Sequence, residues 1–83
     1  MVKQYWVYQV RCADGTFYTG ITTDAVRRIK EHNASARGAR YTKTRRPVEL
    51  VYSEMALSRG EAQKREYILR HLSHAEKEKL ATC

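Results

Sequence analysis

The hydrophobic pattern opens on residues 5–12 (YWVYQVRC), a run rich in aromatic and β-branched side chains, and this predicts a β-strand. A second run, residues 17–22 (FYTGIT), follows Ala13-Asp14-Gly15-Thr16, and Asp-Gly between two such runs predicts a hairpin. A period of two sets Phe17, Thr19 and Ile21 on one face of the returning strand and Tyr18, Gly20 and Thr22 on the other. Gly20 inside that strand marks a weak point, or a place where something approaches the backbone closely.

The period then changes. Thr22-Thr23-Asp24 offers a hydroxyl N-cap and a carboxylate for the first turn, predicting a helix over about residues 24–34. It should bury Val26 and Ile29, with Ala25 a further candidate. Arg28 and His32 lie four apart and share one face of it. Residues 34–47 show no period and read as irregular, with Pro47 marking their end, and residues 48–53 (VELVYS) alternate cleanly as a third strand. Ser58-Arg59-Gly60-Glu61 is a capping box opening a helix near residues 59–72, with Ala62, Ile68, Leu69 and Leu72 as its apolar stripe. Ser73-His74-Ala75-Glu76 is a second box, starting a short helix that ends near Leu80. The expected order is β-β-α-β-α-α. This is a small α+β domain over residues 1–83, a three-stranded antiparallel sheet flanked by helices.

Composition narrows the class. With 42% hydrophobic residues the 83-residue chain is too apolar for a disordered basic tail, and it is too short for a two-domain enzyme with a deep pocket. No apolar run approaches the roughly 18 residues of a membrane span. The opening MVKQYWVYQV has no signal-peptide core, and Cys12 and Cys83 are the only thiols. A cytoplasmic protein without a disulfide partner is therefore expected, with Cys12 as strand packing and His71 and His74 as surface residues.

Charge points to a partner. Sixteen Lys+Arg against nine Asp+Glu give +7, and ten of those cations are Arg, whose fork suits phosphate oxygens. Between Glu31 and Glu49 there is no acid, whereas Arg37, Arg40, Lys43, Arg45 and Arg46 all fall there. That is the electrostatic footprint of a nucleic-acid binder, although a merely solvated basic loop reads the same way. Tyr41 within the stretch offers a face for an unpaired base, or an anchor of the loop onto the core.

Trp6-Val7-Tyr8 on the first strand, Tyr18-Thr19-Gly20 on the second, Arg28 and His32 on one helix and Glu66 on another stand in a telling order. In these motifs and their spacing the chain resembles the GIY-YIG nuclease superfamily, from about residue 5 to residue 80. The stretches CADGTFYTGITT and GARYTKTRRPVELVYSE are similar to its small single-domain bacterial branch. The pattern departs at WVY, which lacks a Gly, at Thr19 in place of Ile or Val, and at Ile21 where some relatives carry Lys. The closing Asn of several larger members has no clear counterpart. The resemblance implies one active site built from Tyr8, Tyr18, Arg28, His32 and Glu66, with Glu66 binding Mg²⁺ or Mn²⁺ and DNA as substrate.

The residue types suit that chemistry. Phosphodiester hydrolysis requires a base for water, a cation facing the non-bridging oxygens and help for the departing alkoxide. Tyr18 is the candidate base, Tyr8 a partner for Tyr18 or for a phosphate oxygen, and Arg28 the clamp. His32 is a proton relay or a donor to the phosphate. Arg27, on a solvated helix face, joins Arg37, Arg40, Tyr41, Lys43, Arg45 and Arg46 as a nucleic-acid contact. One carboxylate suffices for a magnesium ion that keeps its waters, although Glu66 could equally pair with Arg70 or Arg59. Without a second domain to read a duplex, single-stranded or branched DNA is the expected substrate. The alternatives are a non-catalytic basic protein bound to RNA or the ribosome, with a decayed site, and a protein-interaction module whose charge aids solubility.

Overall fold

The computed structural model describes residues 4–34 and 40–82. Strands β1 (Tyr5–Arg11) and β2 (Phe17–Thr22) form the expected hairpin, and β3 (Glu49–Ala56) pairs with the other edge of β1. The sheet is antiparallel throughout, in the order β2-β1-β3. At the hairpin turn Asp14 Oδ1 accepts from the Thr16 amide at 3.1 Å and hydroxyl at 2.6 Å. Gly15 there adopts φ 85°, the left-handed region that glycine enters without a Cβ penalty. β3 runs three residues beyond the predicted end, and its register shifts opposite Gln9 and Val10, where a bulge leaves Val51 unopposed.

Because β1 is central, both of its faces are covered, and Val7 to Val10 are all buried. Val7 packs with Ala56, Ala62 and Leu69 under helices α3 (Arg59–Arg70) and α4 (His74–Thr82). Tyr8 and Val10 pack with Cys12, Val48 and Ile29 under α1 (Ala25–Ala34). Strand alternation therefore sorts the molecule into two small cores back to back. Glu54 on the α3 side is bound by both Nε and Nη2 of Arg65, at 2.7 and 2.9 Å. That bidentate contact holds the Glu54 carboxyl below the ordinary carboxylate range. Gln9 donates to the Lys77 carbonyl at 3.3 Å, and Arg11 pairs with Glu78 at 2.8 Å, docking α4 on the same face.

Several expectations need correction. The cap of α1 is the Asp24 carboxylate, which accepts from the Arg27 amide at 3.1 Å, while the Thr22 hydroxyl accepts from the Asp24 amide. Val26 does not enter the core, being 68% exposed. The inward line of α1 is instead Ala25, Ile29 and fully buried His32, at helical spacings of four and three. On α3 the inward line is Ala62, Glu66 and Leu69, and Ile68 is 49% exposed. In both helices a polar site residue occupies the inner stripe that the aliphatic pattern alone assigns elsewhere. The capping at Ser58 and Ser73 is as expected, with the Ser73 amide and hydroxyl bonded reciprocally to Glu76.

Part of the supposedly irregular stretch is a one-turn helix, α2 (Arg40–Lys43), packed against α1. The entry to β3 is pinned to α1 by Asn33, whose side-chain amide accepts from the Val48 amide at 2.7 Å and donates to its carbonyl at 3.1 Å. Among the described residues no helix is long and apolar enough to cross a membrane.

Candidate active site

Tyr8 rises from the middle of β1, directly opposite Gly20 on β2. A Cβ at position 20 would lie 2.5 Å from the Tyr8 hydroxyl oxygen and 2.7 Å from the ring carbon bearing it. The close approach that Gly20 permits is thus that of the tyrosine ring itself, and the need is for space. Gly20→Ala should displace the ring and cost about 1–3 kcal/mol, the usual penalty of overpacking, read by urea denaturation. A variant as stable as the parent would show that the ring has room to move.

The displaced hydroxyl would lose a defined set of partners. Tyr8 Oη lies 2.7 Å from His32 Nε2, and the Arg28 guanidinium acts on the same hydroxyl electrostatically. Burial pushes the Tyr8 pKa up to about 12 against the opposing pull of Arg28, with the Tyr18 and Glu66 charges raising it further. Arg28 also reaches Glu31 at 3.2 Å. Burial works against the Arg28 charge, but its interactions with Tyr8 and Glu31 outweigh this and raise its pKa. Arg28 is half-buried and Arg27 exposed, so the helix turns the expected arginine inward.

His32 has no exposed surface, and its second nitrogen, Nδ1, lies 2.8 Å from Thr42 Oγ1 on α2. Both ring nitrogens are therefore engaged inside the protein, which leaves direct donation to a phosphate without a nitrogen to perform it. Burial first, then the Arg28 and Arg46 charges, lower the His32 pKa from 6.5 to about 4, so the ring is neutral at physiological pH. Between those two values the unfolded chain binds the extra proton, so stability must fall as pH drops through that window. A loss of about 3 kcal/mol is expected by pH 4. Urea midpoints between pH 7 and pH 4 measure it, and His32→Gln should flatten the decline; an equal slope in that variant would refute the assignment.

Tyr18 lies beside this pair, its ring edge-on to His32 at 5.3 Å and 6.4 Å from the Tyr8 ring. The Tyr8 hydroxyl, expected to partner Tyr18 or a phosphate oxygen, meets His32. Tyr18 is half-buried and lines a cleft of about 250 Å³ with Phe17, Thr19, Arg70 and Lys77. Glu66 faces inward from α3 and forms an ion pair with Arg70, the i+4 partner considered for it above. Its charge is felt at the Tyr8 hydroxyl. No group of three or more His, Cys, Asp or Glu occurs among the described residues, which gives no donor set for zinc. A single inward carboxylate does fit a magnesium-type ion completed by water and phosphate oxygens.

The basic segment is more committed than its composition suggests. Arg45 Nε pairs with Asp14 at 3.1 Å, an acid distant in sequence, and the Arg45 carbonyl accepts from the Ala13 amide. Arg46 donates to the carbonyls of His32 and Glu31 near the end of α1. Lys43 is exposed. Arg37 lies outside the described residues, as do the side chains of Arg40 and Tyr41. Thr42 and Asn33 are the site residues that sequence reasoning missed: a hydroxyl in a basic loop and an amide at a helix end carry no periodic signal.

Two tyrosines on paired strands, a helical Arg and His close to one of them and a Glu from the opposite helix are the residues whose order in the sequence resembles a GIY-YIG domain. The chain belongs to that family: the GIY-YIG catalytic domain profile matches residues 4–79. Its relatives are UPF0213 proteins. One from Desulfotalea psychrophila is 60% identical over 76 residues, covering 92% of this chain and 69% of the relative. Another, from Halobacterium salinarum, is 53% identical over 74 residues, covering 89% and 95%. The solution NMR structure of a UPF0213 protein from Bacillus halodurans, 47% identical, matches with a TM-score of 0.58 over 95% of this chain and 83% of that one. A second NMR structure, of an E. faecalis protein, is 40% identical with a TM-score of 0.63, over 93% and 81%.

Proposed function

We propose that this chain is a divalent-metal-dependent DNA endonuclease acting in the cytoplasm on single-stranded or branched DNA, leaving 5′-phosphate and 3′-hydroxyl ends. The observation that carries the reading is the hydrogen bond of Tyr8 to buried His32, with the Arg28 charge acting on the same hydroxyl, beside Tyr18. A structural tyrosine has no need of a buried histidine and an arginine on the same oxygen.

In this reading Tyr18, the more accessible of the two tyrosines, acts as its phenolate, a form that nearby cations favour. It takes the proton from the attacking water as the water oxygen bonds to phosphorus. Arg28 faces the non-bridging oxygens, where charge builds as the bond to O3′ breaks and the alkoxide takes its proton from solvent. Tyr8, buried and with its pKa near 12, stays protonated and serves to hold Arg28 and the phosphate in place. His32 fixes Tyr8. Glu66 would hold Mg²⁺ or Mn²⁺, which when bound supplies positive charge to the phosphate and the leaving oxygen. Arg27, Arg37, Arg40, Lys43, Arg45 and Arg46 track the backbone, and Tyr41 stacks on a base. The arginines tied to Asp14 and to helix carbonyls contribute their charge from fixed positions.

Incubation with labelled single-stranded, duplex and forked DNA, and with RNA, in Mg²⁺, Mn²⁺ or EDTA tests the proposal. Cleavage with metal and none in EDTA is expected. Tight binding without cleavage in any condition would favour the RNA- or ribosome-associated binder instead.

A further inference from the structure

Thr42 is fully buried on the short α2 turn. Its oxygen meets the Nδ1 of His32 at 2.8 Å, and the Nε2 of the same ring meets Tyr8 Oη at 2.7 Å. The protons along this line can be placed by counting donors and acceptors. Arg28 only donates, so the guanidinium that acts on Tyr8 cannot take the hydroxyl hydrogen. Tyr8 is buried, and among the described residues the acceptor within reach of its hydroxyl hydrogen is His32 Nε2. A neutral imidazole with Nε2 as acceptor carries its one hydrogen on Nδ1, which then requires an acceptor of its own. Thr42 Oγ1 is that acceptor.

We infer that Thr42 is a positioning residue: it selects the Nδ1–H tautomer of His32, so that Nε2 receives the Tyr8 hydroxyl hydrogen and the Tyr8 oxygen keeps a lone pair for Arg28. This rests on reading the Tyr8, His32 and Arg28 group as the active site. It also links the basic stretch around α2 to the tyrosines, because the turn that carries Lys43 also carries the hydroxyl that orders His32.

Long-range ¹H–¹⁵N spectra of the ¹⁵N-histidine-labelled chain at neutral pH read the tautomer directly, with no substrate or metal. The parent should show a protonated Nδ1 and an unprotonated Nε2. Thr42→Val keeps the shape and removes the oxygen, so the Nδ1–H preference should be lost. Cleavage should drop on the order of 10- to 100-fold, the scale seen when the orienting partner of a histidine is removed. Thr42→Ser should restore both. A parent ring protonated on Nε2 would overturn the inference without any variant, which covers the case of a valine variant that does not fold. An Nδ1–H tautomer that persists in a folded Thr42→Val would overturn it too. If the tautomer shifts in Thr42→Val and returns in Thr42→Ser while no variant or parent cuts any substrate, the positioning of His32 stands and the nuclease reading fails.

Discussion

Tyr18→Phe is expected to lower the cleavage rate by on the order of 10²–10³ while the melting temperature stays within a degree or two of the parent. The substitution removes one oxygen from a half-buried ring whose aromatic contacts with His32 and Tyr8 are made by carbon atoms. Little packing is lost, whereas the group proposed to take the proton from water is gone. Tyr8→Phe should differ. Its hydroxyl is buried against His32 and Arg28, so deletion leaves a histidine nitrogen and a guanidinium short of a partner and should cost stability as well as rate. Arg28→Ala should behave like Tyr18→Phe in rate, and Arg27→Ala, on the exposed side of α1, should weaken binding modestly and spare turnover. Full activity in Tyr18→Phe would remove Tyr18 from the mechanism. A reversal of the two arginines would mean that α1 presents its other face to the substrate.

The choice of Arg28 over Arg27 shows how far local pattern reaches. Four-residue spacing from His32 was enough to select it, because both must lie on the face that meets the sheet. The hairpin was legible for the same reason: alternation and Asp-Gly are local signals, and the Asp14 and Gly15 geometry is what that turn requires. Val26 and Ile68 were misplaced because an aliphatic side chain is the default tenant of an inner stripe, and here His32 and Glu66 occupy it. The α2 turn is four residues long, only about one helical turn, so no periodicity can announce it. Thr42 with His32, Asp14 with Arg45, and Asn33 with Val48 are encounters between distant segments. They depend on how the segment after α1 folds back, which no single stretch of sequence encodes.

Glu66→Ala should reduce cleavage by more than 10³-fold in saturating Mg²⁺ and leave DNA affinity in EDTA equal or slightly raised. The chain carries +7, and removing one anion from a basic surface cannot weaken attraction to phosphate. Stability should move little, since the Arg70 end of this i,i+4 pair is solvent-exposed and such a pair contributes only about a few tenths of a kcal/mol. The ion pair with Arg70 makes a companion test necessary, because it offers Glu66 a purely structural role. If holding Arg70 is its whole purpose, Arg70→Gln must reproduce the phenotype of Glu66→Ala. If the carboxylate instead holds the metal, Arg70 competes with the ion for the same oxygens. Arg70→Gln should then keep its cleavage and reach half-maximal rate at a lower Mg²⁺ concentration than the parent. Parent-like cleavage by Glu66→Ala would sink the metal assignment. A silent Arg70→Gln beside an inactive Glu66→Ala would separate the ligand from the ion pair, because the two residues share a contact but only one of them can bind a cation.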